Sequence, residues 1–132
     1  MKSHRVSLGF LLAVTLVYGT TAAQEKSKPA PVNVGILVLD KAYLTEFAGP
    51  LDVYHHVPED QLRVFLVSDT AQEMRTYEGM TFRANYTINN APKIDVLVLT
   101  SGVGSLDADL KKEPVINWIK QSAREAKFIT SH

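Results

Sequence analysis

Apolar residues along the chain gather into four short runs, Val32 to Leu39, Leu62 to Val67, Ile94 to Leu99 and Lys127 to Thr130. The first three are nearly unbroken in apolar character rather than alternating with polar residues. Strands covered on both faces read this way, as in parallel sheets. Between the first and second runs, Leu51, Val53, Tyr54, His55 and Val57 follow helical spacing. Pro50 falls early in that segment and Pro58 stops it. Before the fourth run, Pro114 stands where a helix would begin, with Glu113 as an acid at its positive end. Val115, Trp118, Ile119, Ser122, Ala123 and Ala126 then form one largely apolar face. The segment after the second run has a different texture. Met74 to Tyr77 and Met80 to Ile88 alternate loosely around Glu78-Gly79, which predicts a β-hairpin attached as an antiparallel accessory to the main sheet. The resulting order is strand, helix, strand, hairpin, strand, helix, strand. It predicts an α/β fold, a parallel sheet with right-handed crossovers and helices on both faces.

In such a sheet the carboxyl ends of the strands share one edge, and the loops there carry the chemistry. Those loops hold Thr45 and Glu46, then Ser68 and Asp69, then the turn Ser101-Gly102-Val103-Gly104-Ser105, then Ser131 and His132. Glu46 has two readings. It is a proton carrier or orienting base for a nucleophile, or an acid that the helix dipole favours near a helix start. The glycine turn can aim backbone N–H groups at an anion or a developing oxyanion, or it is an ordinary strand-to-helix turn. It lacks the lysine of a P-loop, and Asp107 stands where a dinucleotide fingerprint needs its third glycine. His55 and His56 are adjacent, so on a helix they point apart and read as solvated helix-end residues rather than metal ligands. No metal or other cofactor is expected. Asn85-Tyr86-Thr87 is a glycosylation sequon, relevant only in a eukaryotic host.

Composition narrows the class. The 132 residues suffice for one domain, and 45% hydrophobic with 21% charged content is globular. Lys plus Arg and Asp plus Glu number 14 each, so no basic excess points to nucleic acid. The absence of cysteine excludes disulfides and thiolate ligands within these residues. Lys2, His4 and Arg5 precede a mostly apolar stretch, Val6 to Val17, and small residues follow at Gly19-Thr20-Thr21-Ala22-Ala23. That order reads as a secretory signal peptide over 1–23, cleaved after Ala23. It predicts a secreted or periplasmic protein with no stable membrane anchor after cleavage. Cleavage leaves 109 residues, with 12 basic against 14 acidic side chains. Residues 24–31, with Pro29 and Pro31, read as a linker, and 32–132 as the domain.

Several segments together resemble the DJ-1/PfpI (ThiJ/PfpI) family of the class I glutamine-amidotransferase-like fold. They are Val34 to Leu39, Glu46-Phe47-Ala48-Gly49-Pro50-Leu51-Asp52-Val53, Ala91 to Leu99 with Thr100-Ser101-Gly102, and Val115 to Ser131. The Gly49-to-Val53 run is similar to the branch that holds isonitrile-hydratase-like enzymes and the sensor domains of AraC-type regulators. The resemblance implies a flavodoxin-like sheet. It implies that Glu46 is the acid that hydrogen-bonds a nucleophilic cysteine and that Gly102 is an oxyanion-hole donor. Thr45, Ser101, Val103 and His132 are then the expected substrate-binding neighbours. Thr100-Ser101-Gly102 departs from the family's more usual Pro-Gly-Gly. The family's cysteine follows the strand that here reads Phe128 to His132, and this sequence contains none. The chain is therefore expected to be truncated relative to the family and catalytically silent as written. The alternatives are a cysteine-dependent hydratase or hydrolase whose remainder is encoded downstream, and a small-molecule-sensing module. The expected partner is a small molecule, not nucleic acid. The last strand is expected to form an apolar open edge, and a homodimer stays open.

Overall fold

The computed structural model describes residues 28–104 and 107–131. The expected leader over 1–23, the first part of the expected linker, Ser105, Leu106 and His132 lie outside these residues. Among the described residues no helix is long and apolar enough to cross a membrane.

The four apolar runs form a single sheet. Strands β1 (Val32–Leu37), β2 (Leu62–Ser68), β6 (Val96–Leu99) and β7 (Phe128–Ser131) are joined by a short β5 (Tyr86–Thr87) in the order β5-β2-β1-β6-β7, all parallel. The register explains why these runs are apolar throughout. Val34, Val64 and Val96 stand side by side, as do Ile36, Leu66 and Val98. These point to one face, where Phe47 and partly buried Leu44, Leu51 and Tyr54 of helix α1 (Leu44–His55) cover them. The alternate rank, Phe65 and Leu97 and then Val67 and Leu99, points to the other face. There Trp118 and Ile119 of helix α2 (Glu113–Glu125) close over it. Ile36, Val67, Leu97 and Val98 are completely buried. A side chain of this size contributes about 1.5–3 kcal/mol when it leaves water. The flavodoxin-like arrangement with helices on both faces is thus present.

Three details differ from the sequence-based expectation. Helix α1 begins at Leu44, so Glu46 lies in its first turn rather than in a loop, and Pro50 lies well inside it. Pro50 cannot donate to the Glu46 carbonyl four residues back. Packing of Phe47, Leu51 and Tyr54 on the sheet outweighs that loss. The hairpin is shorter than its pattern suggests. Strands β3 (Met74–Arg75) and β4 (Thr81–Phe82) form a separate two-stranded sheet, and the rest of the second arm leaves it to become β5. Asn85 makes that switch. Its amide oxygen accepts the Leu66 N–H at 2.8 Å and its own N–H donates to the Leu66 carbonyl at 3.1 Å. Finally, a short 3-10 turn, Asp109–Lys111, precedes α2.

Candidate functional site

The segment between β1 and α1 is the hub of the carboxyl edge. Lys41 adopts a left-handed conformation, with φ of 65°, which costs a side-chain-bearing residue about 1 kcal/mol or more. It is held there from both sides. Its N–H donates to the Arg75 carbonyl at 2.8 Å, and its carbonyl accepts the Val103 N–H at 3.2 Å. Next to it, Ala42 forms an antiparallel bridge with Gly102, and the Tyr43 N–H donates to the Ser101 carbonyl at 3.2 Å. The two backbones meet closely. A Cβ on Gly102 would lie 2.7 Å from the Lys41 carbonyl oxygen and 2.8 Å from the Ala42 Cα. Glycine is required here by contact, whatever else its N–H does.

The hairpin buttresses the same segment. Asp40 Oδ1 accepts the Arg75 N–H at 2.9 Å, and the Ala42 carbonyl accepts the Tyr77 N–H at 3.0 Å. The Tyr43 and Tyr77 rings meet edge to face at 5.4 Å, and Phe47 of α1 stacks against Phe82 of β4 at 5.0 Å. Tyr43, the residue capping α1, provides no side-chain cap. Glu78 supplies one from the hairpin tip, its Oε2 accepting the Leu44 N–H at 3.0 Å. The Glu78 carboxyl is held below its ordinary value, first by its own backbone N–H and then by those of Leu44 and the Thr76 hydroxyl, against an opposing effect of desolvation. A carboxylate with a depressed folded-state pKa stabilises the fold above its ordinary value of 4.5 and loses that contribution as pH falls below it. Glu78→Gln is therefore expected to lower the urea midpoint near neutrality and to narrow the gap from the native chain below about pH 4.5. A gap that stays constant down to about pH 3 would show that this carboxylate does not cap α1.

Above this hub lies a chamber of about 160 Å³. Leu37, Leu39, Leu99 and Thr100, at the carboxyl ends of β1 and β6, form its floor. Leu110, Val115, Ile116 and Ile119 form its roof. Asp40, Ala42, Ser101, Gly102 and Asp109 complete the wall. The Thr100 hydroxyl donates to the Leu37 carbonyl at 2.7 Å, which satisfies the last carbonyl of β1 where the ladder ends. An ionic latch holds the roof in place. Lys112 Nζ lies 3.0 Å from Asp69 Oδ2, at the end of β2, and 3.3 Å from Asp109 Oδ1. Burial alone would lower the Lys112 ammonium, but Asp69 and then Asp109 outweigh it and hold the pKa above its ordinary value. Ser68, fully buried, donates to Asp69 Oδ1 at 3.2 Å.

The expected site residues separate into groups. Ser101 and Gly102 line the chamber; Thr45, Glu46 and Val103 do not. Thr45 is exposed on the first turn of α1, and the Val103 N–H is taken up by Lys41. Glu46 Oε2 is buried with no hydrogen-bond partner among the described residues. His132 lies outside them. Among the described residues no group of three His, Cys, Asp or Glu is placed to hold a metal ion. Sequence reading missed Glu78, Lys112 and Asp109. A Glu-Gly pair at a hairpin tip signals a turn, not a cap for a helix elsewhere.

These features define the chain as having the fold of ThiJ/PfpI and DJ-1 superfamily proteins. Among solved structures, a ThiJ/PfpI family protein from Pseudomonas syringae matches with a TM-score of 0.69 and 14% identity, covering 89% of this chain and 48% of that one. Drosophila melanogaster DJ-1beta matches with a TM-score of 0.65 and 15% identity over 76% of this chain and 54% of its own. An AraC family transcriptional regulator from Pseudomonas putida matches with a TM-score of 0.60 and 16% identity, over 76% of this chain and 55% of that one. The chain thus spans about half the length of these structures. No family model and no curated protein sequence matches it.

Proposed function

We propose that this chain binds a small organic molecule in the chamber at the carboxyl ends of β1 and β6. With no cysteine among its 132 residues, it performs no thiolate chemistry on that molecule. The observation that carries the reading is the chamber itself, apolar on floor and roof, with the Ser101-Gly102 turn in its wall. Apolar pockets with a few convergent polar groups are the usual form of small-molecule sites. The likeness to a transcriptional regulator of the same fold fits a sensing role. A second reading, a cysteine-dependent hydratase, is favoured by one specific observation. The buried, unpartnered Oε2 of Glu46 is an acceptor held ready for a donor that the described residues do not supply. On that reading Glu46 orients a thiol and Gly102 donates to an oxyanion.

The first reading has a direct test in the purified chain. Small neutral and charged organic probes should raise the melting temperature of the purified chain, and Ile116→Phe, which adds bulk to the chamber wall, should abolish the shift. A probe that stabilises both proteins equally would sink the chamber as the binding site. Turnover of cyclohexyl isonitrile by the same purified chain would overturn the silent reading.

A further inference from the structure

We infer that the chamber selects a small primary ammonium ion carrying a short apolar tail. This rests on the chamber being the ligand site and adds to it the charge and size of the ligand. Size follows from volume. At about 160 Å³ the space is close to the roughly 150 Å³ that accommodates a benzene molecule, so the ligand has about six heavy atoms. The tail follows from the walls, since Leu37, Leu99, Ile116 and Ile119 offer it only hydrocarbon. Charge follows from the two ionisable residues in the lining, Asp40 and Asp109, both acids. Asp109 is already paired with Lys112 at 3.3 Å, and Lys112 is shared with Asp69. Those three side chains together keep one negative charge. Asp40 makes no ion pair among the described residues. Its Oδ1 accepts the Arg75 N–H at 2.9 Å, so the exposed carboxylate is held at the rim by a backbone group, and no Lys or Arg joins it in the chamber lining. An ammonium group paired with Asp40 would place its tail inward, against Leu37, Leu99, Ile116 and Ile119. An anion would meet two carboxylates, and an uncharged polar head would forgo the ionic attraction.

The test uses the full chain, isotopically labelled, titrated with n-pentylammonium chloride, 1-pentanol and sodium pentanoate, and followed by amide NMR shifts. The expected result is that pentylammonium shifts the Ala42, Gly102 and Ile116 amides. It should bind about two- to fivefold more tightly than pentanol, with pentanoate weaker still. Asp40→Asn keeps an oxygen for the Arg75 N–H, and it should reduce the amine to the affinity of the alcohol. Equal binding of the amine and the alcohol by the native chain, or tighter binding of pentanoate, would overturn the charge selection while leaving the chamber as a ligand site. If none of the three probes moves those amides, the charge selection and the chamber reading fall together.

Discussion

Gly102→Ala will destabilise the chain by about 1–3 kcal/mol, and Gly49→Ala will stabilise it by about 0.5–1 kcal/mol. The two substitutions are chemically identical, and the opposite signs come from where the added methyl goes. At Gly102 it meets the Lys41 carbonyl oxygen at 2.7 Å and the Ala42 Cα at 2.8 Å, both backbone atoms that no rotamer change can clear. Relief requires the bridge between Ala42 and Gly102 to open. That strains the Tyr43-to-Ser101 and Val103-to-Lys41 hydrogen bonds, which hold Lys41 in its left-handed conformation. The damage is therefore centred on the site, and ligand-dependent stabilisation should fall with it. At Gly49, inside α1, a Cβ meets nothing within 4 Å, so alanine restricts the unfolded chain and improves helix propensity with no clash. Urea denaturation of the two variants beside the native chain measures both effects. A neutral Gly102→Ala would mean that the two loops do not touch in solution.

What the sequence discloses, and what it conceals, follows the range of the interactions. The runs that became β1, β2 and β6 are legible because each is apolar on both faces, which only a sandwiched parallel strand requires. Pro114 at the start of α2 is legible because helix starts are local. The glycine turn and Glu46 could be assigned to one edge because parallel topology sends every carboxyl end there. The closing of the site was not legible. The Glu78 cap on Leu44 spans 34 residues, and the latch from Lys112 reaches Asp69 across the ends of the sheet. Nothing in the local pattern of a charged residue names a partner that far away. Pro50 misled for the complementary reason. The pattern puts it early in its segment, yet it lies well inside α1, whose apolar face, with Phe47 in the core, outweighs the local penalty. The switch of Asn85 from hairpin to sheet edge was hidden because side-chain pairing with Leu66 mimics a strand without strand-like composition.

Leu97→Ala is expected to cost about 2–5 kcal/mol, whereas Ile129→Ala should cost about 1 kcal/mol or less. In sequence the two positions are indistinguishable, each an aliphatic residue inside a short apolar run. In the sheet they are register partners on adjacent strands. Leu97 is completely buried, packed with Phe65, Val67 and Ile94 beneath Trp118 and Ile119, so truncation leaves a cavity that the surrounding side chains fill only in part. Ile129 lies on β7 at the end of the strand order and is 50% exposed, with neighbouring Phe128 at 68%. Its methyl groups are already largely in water, and their removal forgoes little. Domains of this size are typically stable by only 5–15 kcal/mol, so the Leu97 variant loses a large fraction of its stability while the Ile129 variant stays folded. Urea midpoints at two protein concentrations decide what covers β7. If Ile129→Ala proves as costly as Leu97→Ala and the cost grows with concentration, a second copy covers that edge in solution. A small cost that does not vary with concentration leaves β7 as an open edge in this chain. There Ile129→Lys should raise solubility, because a charge on an unpaired strand opposes pairing with other chains.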